Sequence, residues 1–182
     1  MNLRSVILGI LSWNPASGYD LKQIIADSNL FYWSGNNNQI YKSLLELQNE
    51  GLVTCQTQLQ EHLPAKKIYS VSEQGLSALH ESLQAAPELP ELRKGFLIQL
   101  AWAELLSDEE ILGLLEKYET EVADGLRMVQ AQSARPGKRP ERSEREKFLW
   151  KRIAENIIDS YQTELDWANH MRQEFREKMF QE

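Results

Sequence analysis

Residues 36–71 of this 182-residue chain are NNNQIYKSLLELQNEGLVTCQTQLQEHLPAKKIYSV, and they predict one helix followed by a two-stranded β-hairpin. In the helical part, Ile40, Leu44 and Leu47 recur at helical spacing and form one apolar stripe. Asparagines precede the stripe, where they favour a helix start because their side-chain oxygen accepts an unpaired N–H. Gly51 follows the stripe, at a position where a helix end favours a left-handed residue.

Two β-prone runs complete this motif, at 52–54 and 67–71, and a polar loop containing Pro64 separates them. Helix, strand, loop and strand in this order predict the core of a winged helix, whose helix can enter a DNA major groove. The helix face opposite the stripe carries residue types that pair with bases or phosphates, although any solvated helix has a similar outer face. These residues are Asn38, Gln39, Lys42, Ser43 and Glu46.

The rest of the N-terminal half predicts three more helices around this motif. Residues 3–13 form the first, and Ser17 is the predicted N-cap of the second, with Asp20 three residues on in an imperfect capping box. Ser72 is expected to cap a fourth helix whose apolar stripe is Leu76, Leu79 and Leu83. Two prolines within 85–90 mark a domain boundary, so residues 1–86 are predicted to form a winged-helix DNA-binding domain.

Residues 91–182 are predicted to form an all-helical, antiparallel coiled-coil dimerisation domain. A capping box at Ser107 and Glu110 opens a helix with a near-heptad seam, and residues 133–143, with two prolines and a glycine, predict a flexible linker. Residues 144–179 form the longest helix, whose apolar seam can close within the chain or between two chains, and its length favours both. The predicted dimerisation residues are Trp150, Ile157, Tyr161, Leu165, Trp167, Ala168, Met171 and Phe175.

Charge and residue usage restrict the function. The formal net charge is −7, which opposes generic affinity for nucleic acid, because phosphates are neutralised by lysine and arginine. A DNA-binding protein of this composition would need its bases on one face and would bind as a dimer. The bases before Leu89 are Arg4, Lys22, Lys42, Lys66 and Lys67.

Chemistry of other kinds has little support in the sequence. The three histidines are scattered without a second ligand at metal spacing, and neither a nucleophile elbow nor a glycine-rich phosphate loop is present, so we expect no enzyme, metal or cofactor. The single cysteine excludes an intramolecular disulfide. The apolar start ends at Pro15, too early for a membrane span.

Three blocks of the sequence together resemble the PadR family of transcriptional regulators: VILGILSWNPASGYDLKQII, FYWSGNNNQIYKSLLELQNEGLVT and KKIYSVSEQG. They cover roughly the first half of the chain in the family's order. The helical second half with Trp167 looks most like the AphA-like, virulence-gene-activator branch. Lys42 departs from the pattern, because many relatives have proline directly after the equivalent of Tyr41.

The resemblance implies a cytoplasmic, dimeric, sequence-specific transcription factor that binds double-stranded DNA at an inverted repeat. Some relatives respond to a small aromatic effector, and no membrane partner is implied. The residues implied or predicted to contact DNA are Asn37, Asn38, Gln39, Tyr41, Lys42, Ser43, Lys66 and Lys67. The alternative, which the net charge favours, is a winged-helix module that binds protein and not DNA.

Overall fold

The chain folds into two compact units, Met1–Pro90 and Glu91–Glu182. The computed structural model describes residues 2–28, 37–58, 65–89, 94–134 and 143–179. The sequence predicts a boundary within 85–90, at the end of the first of these units.

The N-terminal unit combines helices with a small antiparallel sheet. Its described elements are α1 (Leu3–Leu11), β1 (Ala16–Ser17), α2 (Gly18–Ala26), α3 (Asn37–Asn49), β2 (Val53–Gln58), β3 (Lys66–Val71) and α4 (Glu73–Gln84). Helix, strand and strand therefore follow one another as the sequence predicts, and the winged-helix core is confirmed. The predicted loop with Pro64 lies outside the described residues.

The sheet has three strands and not the two that the sequence predicts. Its order is β1-β3-β2, with both pairs antiparallel, and Ala16 lies opposite Tyr69 while Ser17 lies opposite Ile68. A two-residue strand has no alternation that sequence could reveal, since its identity depends entirely on a distant partner. Because Ser17 is also the N-cap of α2, β1 ties the start of that helix to the base of the wing.

The core of this unit lies where the apolar faces of α1, α2 and α3 meet the sheet. Leu44 and Leu47 are fully buried and Ile40 is nearly so, which confirms the predicted stripe. Gly51 has φ of 73°, the left-handed conformation predicted for the residue that ends α3. The other buried members are Leu3, Ile7, Leu8, Ile10, Leu11, Ala16, Leu21, Ile25, Leu52, Val53 and Tyr69.

Helix α4 packs one of the three residues of its predicted stripe, Leu79, against the core, together with residues that the sequence does not indicate. Ser72 caps it as expected, but Leu76 and Leu83 are exposed, and the residues facing the core are Gly75, Ala78 and Leu79. A Cβ on Gly75 would collide with the carbonyl oxygen of Leu52. The glycine permits a close helix–backbone approach, and that approach decides the face of α4 that is buried.

The C-terminal unit is helical throughout its described residues. The seam residues Ile111, Leu115, Val122, Leu126 and Val129 are buried in this unit, and the capping box of Ser107 and Glu110 is formed. Of the predicted linker, Ser133 and Ala134 still belong to a helix, and residues 135–142 lie outside the described part of the chain. The elements are α5 (Gly95–Ala101), a 3-10 turn (Ala103–Leu105), α6 (Asp108–Ala134) and α7 (Glu144–Met179).

Helices α6 and α7 pack against each other within one chain. Gly125 of α6 lies under the ring of Tyr161 of α7, so closely that a Cβ there would be 2.5 Å from Cε1. Farther along, Met171 and Phe175 pack against a buried cluster of Phe96, Ala103, Ile111 and Leu115. The seam of α7 is therefore partly covered by its own chain.

Candidate nucleic-acid interface

The outer face of α3 presents amide and ammonium groups to solvent. Asn38, Gln39 and Lys42 are all exposed, and the side chain of Lys42 keeps 77% of its surface accessible. Amides of this kind pair with adenine, and lysine reaches guanine or phosphate. Asn37 begins the helix, but its side chain lies outside the described set.

Ser43 does not belong to this outer face, and its predicted position is wrong. It is buried, at 9% exposure, on the same side of the helix as Ile40 and Leu47. Residues three before and four after it are both core residues, so helical geometry turns Ser43 inward whatever its polarity. Its hydroxyl is therefore removed from the set that can reach DNA.

Tyr41 links the exposed face of α3 to the start of α2. Its ring is half exposed, and one edge lies against Gly18, where an added Cβ would approach Cε1 to 2.5 Å. On the wing, burial raises the pKa of Tyr69, followed by the Cys55 thiol and then by Tyr41.

The two wing lysines differ in their surroundings. Lys67 is exposed on β3, whereas the ammonium of Lys66 lies 3.0 Å from Oδ2 of Asp20 on α2. The outward residues of the opposite strand β2 are polar, at Thr54, Gln56, Thr57 and Gln58. The wing therefore offers a polar surface with one lysine open to solvent and one that is already paired.

Asp20 is the centre of a small polar network. The backbone N–H and the hydroxyl of Ser17 donate to Oδ2 of Asp20, at 3.0 and 2.7 Å, and the backbone N–H of Asp20 donates back to Ser17 Oγ at 3.2 Å. This is a complete capping box, where the sequence predicts an imperfect one. Partial burial works against the charged form, but hydrogen bonds from Ser17 and Lys66 prevail and lower the pKa of the Asp20 carboxyl.

Two further bases of this unit also face acids. Lys42 lies 3.9 Å from Glu46 one turn along α3, and Arg4 of α1 is paired with Glu50 beyond the end of α3. Exposed pairs of this kind are weak and can be exchanged for other anions. The bases that the sequence provides are thus present at the surface, several of them with internal partners.

The eight predicted dimerisation residues keep accessible surface, with one exception. Ala168 is fully buried within its own chain, and the other seven are half-buried or, in the case of Trp167, 38% exposed. Phe148 and Leu149, near the start of α7, are about half exposed. One chain therefore covers the inner side of the seam and leaves the outer side to solvent.

An aromatic cluster joins α5, α6 and α7 in the C-terminal unit. Phe96 stacks on Tyr118 with ring centroids 3.6 Å apart, and Trp167 meets Phe96 edge-on at 6.3 Å. The Tyr118 hydroxyl donates to Glu164 Oε1 at 2.6 Å, and Lys94 pairs with the other oxygen of that carboxylate. Burial, followed by the hydrogen bond to Glu164, raises the pKa of Tyr118 far above its ordinary value.

Other kinds of site are not seen in the described residues. They contain no group of three or more acidic, histidine or cysteine side chains placed to hold a metal ion. In the same ranges, no helix has both the length and the apolarity needed to cross a membrane.

An exposed polar row on the helix before a two-stranded wing is the arrangement of winged-helix DNA-binding proteins. Residues 7–81 match the transcriptional regulator PadR-like family, and residues 92–176 match the virulence activator alpha C-terminal family. The negative transcriptional regulator PadR of Bacillus subtilis is 31% identical over 127 residues, which cover 67% of this chain and 70% of that protein. The chain belongs to the PadR-like family of transcriptional regulators.

Solved structures of relatives have the same fold. Bacillus subtilis PadR in complex with operator DNA superimposes with a TM-score of 0.80 at 23% identity, covering 95% of this chain and 98% of that one. The same relative in complex with p-coumaric acid gives a TM-score of 0.76 at 22% identity over 95% and 98% of the two chains. The Vibrio cholerae virulence activator AphA gives 0.69 at 25% identity over 96% and 98%.

These likenesses establish the class of the protein. It is a DNA-binding transcriptional regulator, as the sequence predicts, and the family consists of regulators and not enzymes. The similarity to AphA and the match of the second half to the virulence-activator family confirm the predicted branch.

Proposed function

We propose that this regulator inserts α3 into the DNA major groove and reads bases with the exposed row at its N-terminal end. The observation that carries the proposal is the outward placement of Asn38 and Gln39 on α3, the helix that precedes the wing and whose other face is the core. Asn37 continues this row by sequence. Ser43 is excluded because it is buried.

The phosphate contacts in this proposal come from the lysines around that helix. Lys42 and Lys67 are both exposed, Lys42 on α3 and Lys67 on β3. Lys66 stands next to Lys67 but is paired with Asp20 in the free protein. Tyr41, with half of its ring exposed, completes the set.

We further propose that the C-terminal unit joins two chains into a homodimer through the outer side of α7. The support is the apolar surface that one chain leaves open along this helix, since soluble monomers rarely expose large apolar patches. A two-fold dimer would present two recognition helices about 34 Å apart, or at a multiple of that distance, and would bind an inverted repeat. The cytoplasm is the compartment where such a regulator meets DNA.

The decisive experiment is binding to DNA from the region upstream of the protein's own gene. Fluorescence anisotropy should show tight binding to one segment, weak binding to a scrambled segment, and a linear fall of log K with log salt. Footprinting of the bound segment should then reveal two symmetric half-sites.

The alternative of a winged-helix module that binds protein and not DNA is not supported, because the chain belongs to a family of DNA-binding transcriptional regulators. The same titration checks this, since a module that binds only protein has no counterion-release slope with any DNA.

A small aromatic effector is part of the proposal as well. Its support is the relative solved with p-coumaric acid, together with the cluster of Phe96, Tyr118 and Trp167 in the C-terminal unit. Phenolic acids should raise the melting temperature of the protein and change its affinity for the upstream DNA. Benzoate without a hydroxyl group is the matched control ligand.

A further inference from the structure

Lys66 is paired with a carboxylate in the protein without DNA. Its ammonium lies 3.0 Å from Asp20 Oδ2, and the same oxygen is held in place by the N–H and the hydroxyl of Ser17. The carboxylate therefore resembles a DNA phosphate, because it presents Lys66 with a fixed, negatively charged oxygen.

The pair stands within the proposed interface and not beside it. Gly18, two residues before Asp20, touches the ring of Tyr41 on α3, and Lys66 begins the strand that carries the exposed Lys67. The turn at 17–20 is thus bounded by the recognition helix on one side and by the base of the wing on the other. Lys66 and Lys67 are consecutive strand residues whose side chains point to opposite faces of the wing, so the phosphate that would compete with Asp20 is one that approaches Lys66 itself.

The Asp20–Lys66 pair is partly exposed to solvent. The side chains of Lys66 and Asp20 keep 36% and 40% of their surface accessible, and pairs this open contribute little to stability. The wing does not need the pair for its position, because the backbone ladder between β1 and β3 already fixes it to the start of α2. A weak, open pair is well suited to exchange one anion for another.

We propose that Asp20 is an internal competitor for DNA phosphate, which holds Lys66 in the free protein and must release it when DNA binds. Asp20 then lowers the affinity for DNA of any sequence, without affecting the choice among sequences. This inference rests on the proposed DNA interface. In this acidic regulator, the pair would limit how tightly the wing holds DNA of any sequence.

The test uses Asp20→Asn in the full-length protein, since asparagine keeps an acceptor oxygen for Ser17. We expect binding to the upstream segment and to scrambled DNA to tighten by the same factor, about threefold per protomer, or about 0.7 kcal/mol. In a Lys66→Gln background the same substitution should give no gain. The matched control is Asp27→Asn, which removes one negative charge from the other end of α2, where the carboxylate is exposed.

Several outcomes would overturn the inference. Equal tightening by Asp27→Asn, or an undiminished gain in the Lys66→Gln background, would reduce the effect to general charge. Weaker binding by a folded Asp20→Asn protein would make the pair a support of the wing. If that variant unfolds, Asp20→Ser keeps a short acceptor for the helix start and is subject to the same criteria.

The failure of this inference is distinct from the failure of the proposed function. If the unmodified protein shows no salt-dependent DNA binding, the interface itself is refuted. If it binds and only the Asp20 effect is missing, the interface stands and the competitor is refuted.

Discussion

The ring of Tyr41 lies over Gly18 so closely that a Cβ on that glycine would be 2.5 Å from Cε1 and 3.1 Å from Cδ1 and Cζ. This contact joins the first residue of α2 to the exposed edge of the recognition helix. The glycine is required by its neighbour and not by its own backbone, since Gly51 is the glycine with positive φ among the described residues. The absence of a side chain at Gly18 therefore determines how closely α3 packs against α2.

Replacing Gly18 by alanine should force Tyr41 out of its place and weaken DNA binding. Overpacking of this kind costs about 1–3 kcal/mol of unfolding free energy, which chemical denaturation can measure. Gly9→Ala is the control, because a Cβ there meets no atom within 4 Å and alanine stabilises a helix interior by up to about 1 kcal/mol. Combining Gly18→Ala with Tyr41→Ala should remove the steric cost, and a cost that persists would locate the strain elsewhere.

Replacing Gln39 by alanine should relax sequence preference. The loss of a bidentate amide contact costs about 1–3 kcal/mol against the preferred site and much less against other sites. Binding-site selection on the variant measures this directly. Gln48→Ala is the matched control, since Gln48 is exposed on the same helix half a turn around from Gln39. An unchanged preference in the Gln39 variant would disprove the base contact.

Replacing Lys42 or Lys67 by glutamine should weaken binding similarly on all DNA sequences. Each lost phosphate contact should also reduce the salt slope by about one unit, because one fewer counterion is released. A salt titration by anisotropy gives both values, and Lys117→Gln removes a base from the other unit as a control. A loss restricted to one DNA segment would assign these lysines to base reading.

Replacing Ile157 and Leu165 by aspartate should abolish the dimer. Both side chains are half-buried on α7, so charges there would either separate the two chains or unfold the C-terminal unit, and DNA binding should be lost with α3 untouched. Sedimentation velocity with circular dichroism distinguishes the two results. Asn156→Asp and Gln173→Asp, on exposed positions of α7, should remain dimeric. A monodisperse monomer of the unmodified protein would refute the two-half-site arrangement.

Acid should selectively weaken the C-terminal unit through Glu164. Partial burial opposes its charge, but hydrogen bonds from Lys94 and Tyr118 prevail and hold its pKa below the ordinary 4.5. A lowered folded-state pKa stabilises the protein above the unfolded value, and this contribution is lost as the pH falls from there through the folded-state pKa. Thermal unfolding of Glu164→Gln should therefore differ most from the unmodified protein near neutral pH, and the difference should narrow in acid. The control is Glu177→Gln, on an exposed position near the end of α7.

The sequence predicts those parts of the fold whose causes are local. Ser72 as a helix cap, the stripe of Leu44 and Leu47, and Gly51 at the end of α3 depend on residues within two turns of one another. Periodicity and capping chemistry record such relations directly. The order of helix and wing strands follows from the same signals.

The sequence does not predict features that depend on distant partners. Three such features join parts of the chain that are far apart in sequence: the strand β1, the approach of Gly75 to Leu52, and the pairing of Lys66 with Asp20. Ser43 differs from these, because its polarity suggests the outer face of α3 although its spacing from Ile40 and Leu47 indicates the buried face. In the interface, residue type predicts which side chains could meet DNA, and only the three-dimensional arrangement shows which of them already have partners.

The two-residue strand β1 also protects the wing from unwanted pairing. With β1 on one side and β2 on the other, β3 is the central strand, and its backbone groups beside Tyr69 are occupied on both edges. Without β1, that edge would offer open N–H and C=O groups next to a buried apolar side chain, which is the arrangement through which strands from separate molecules add to one another and aggregate. The residues before α2 therefore cover this part of the edge of β3, and α3 with its hairpin alone would leave it open.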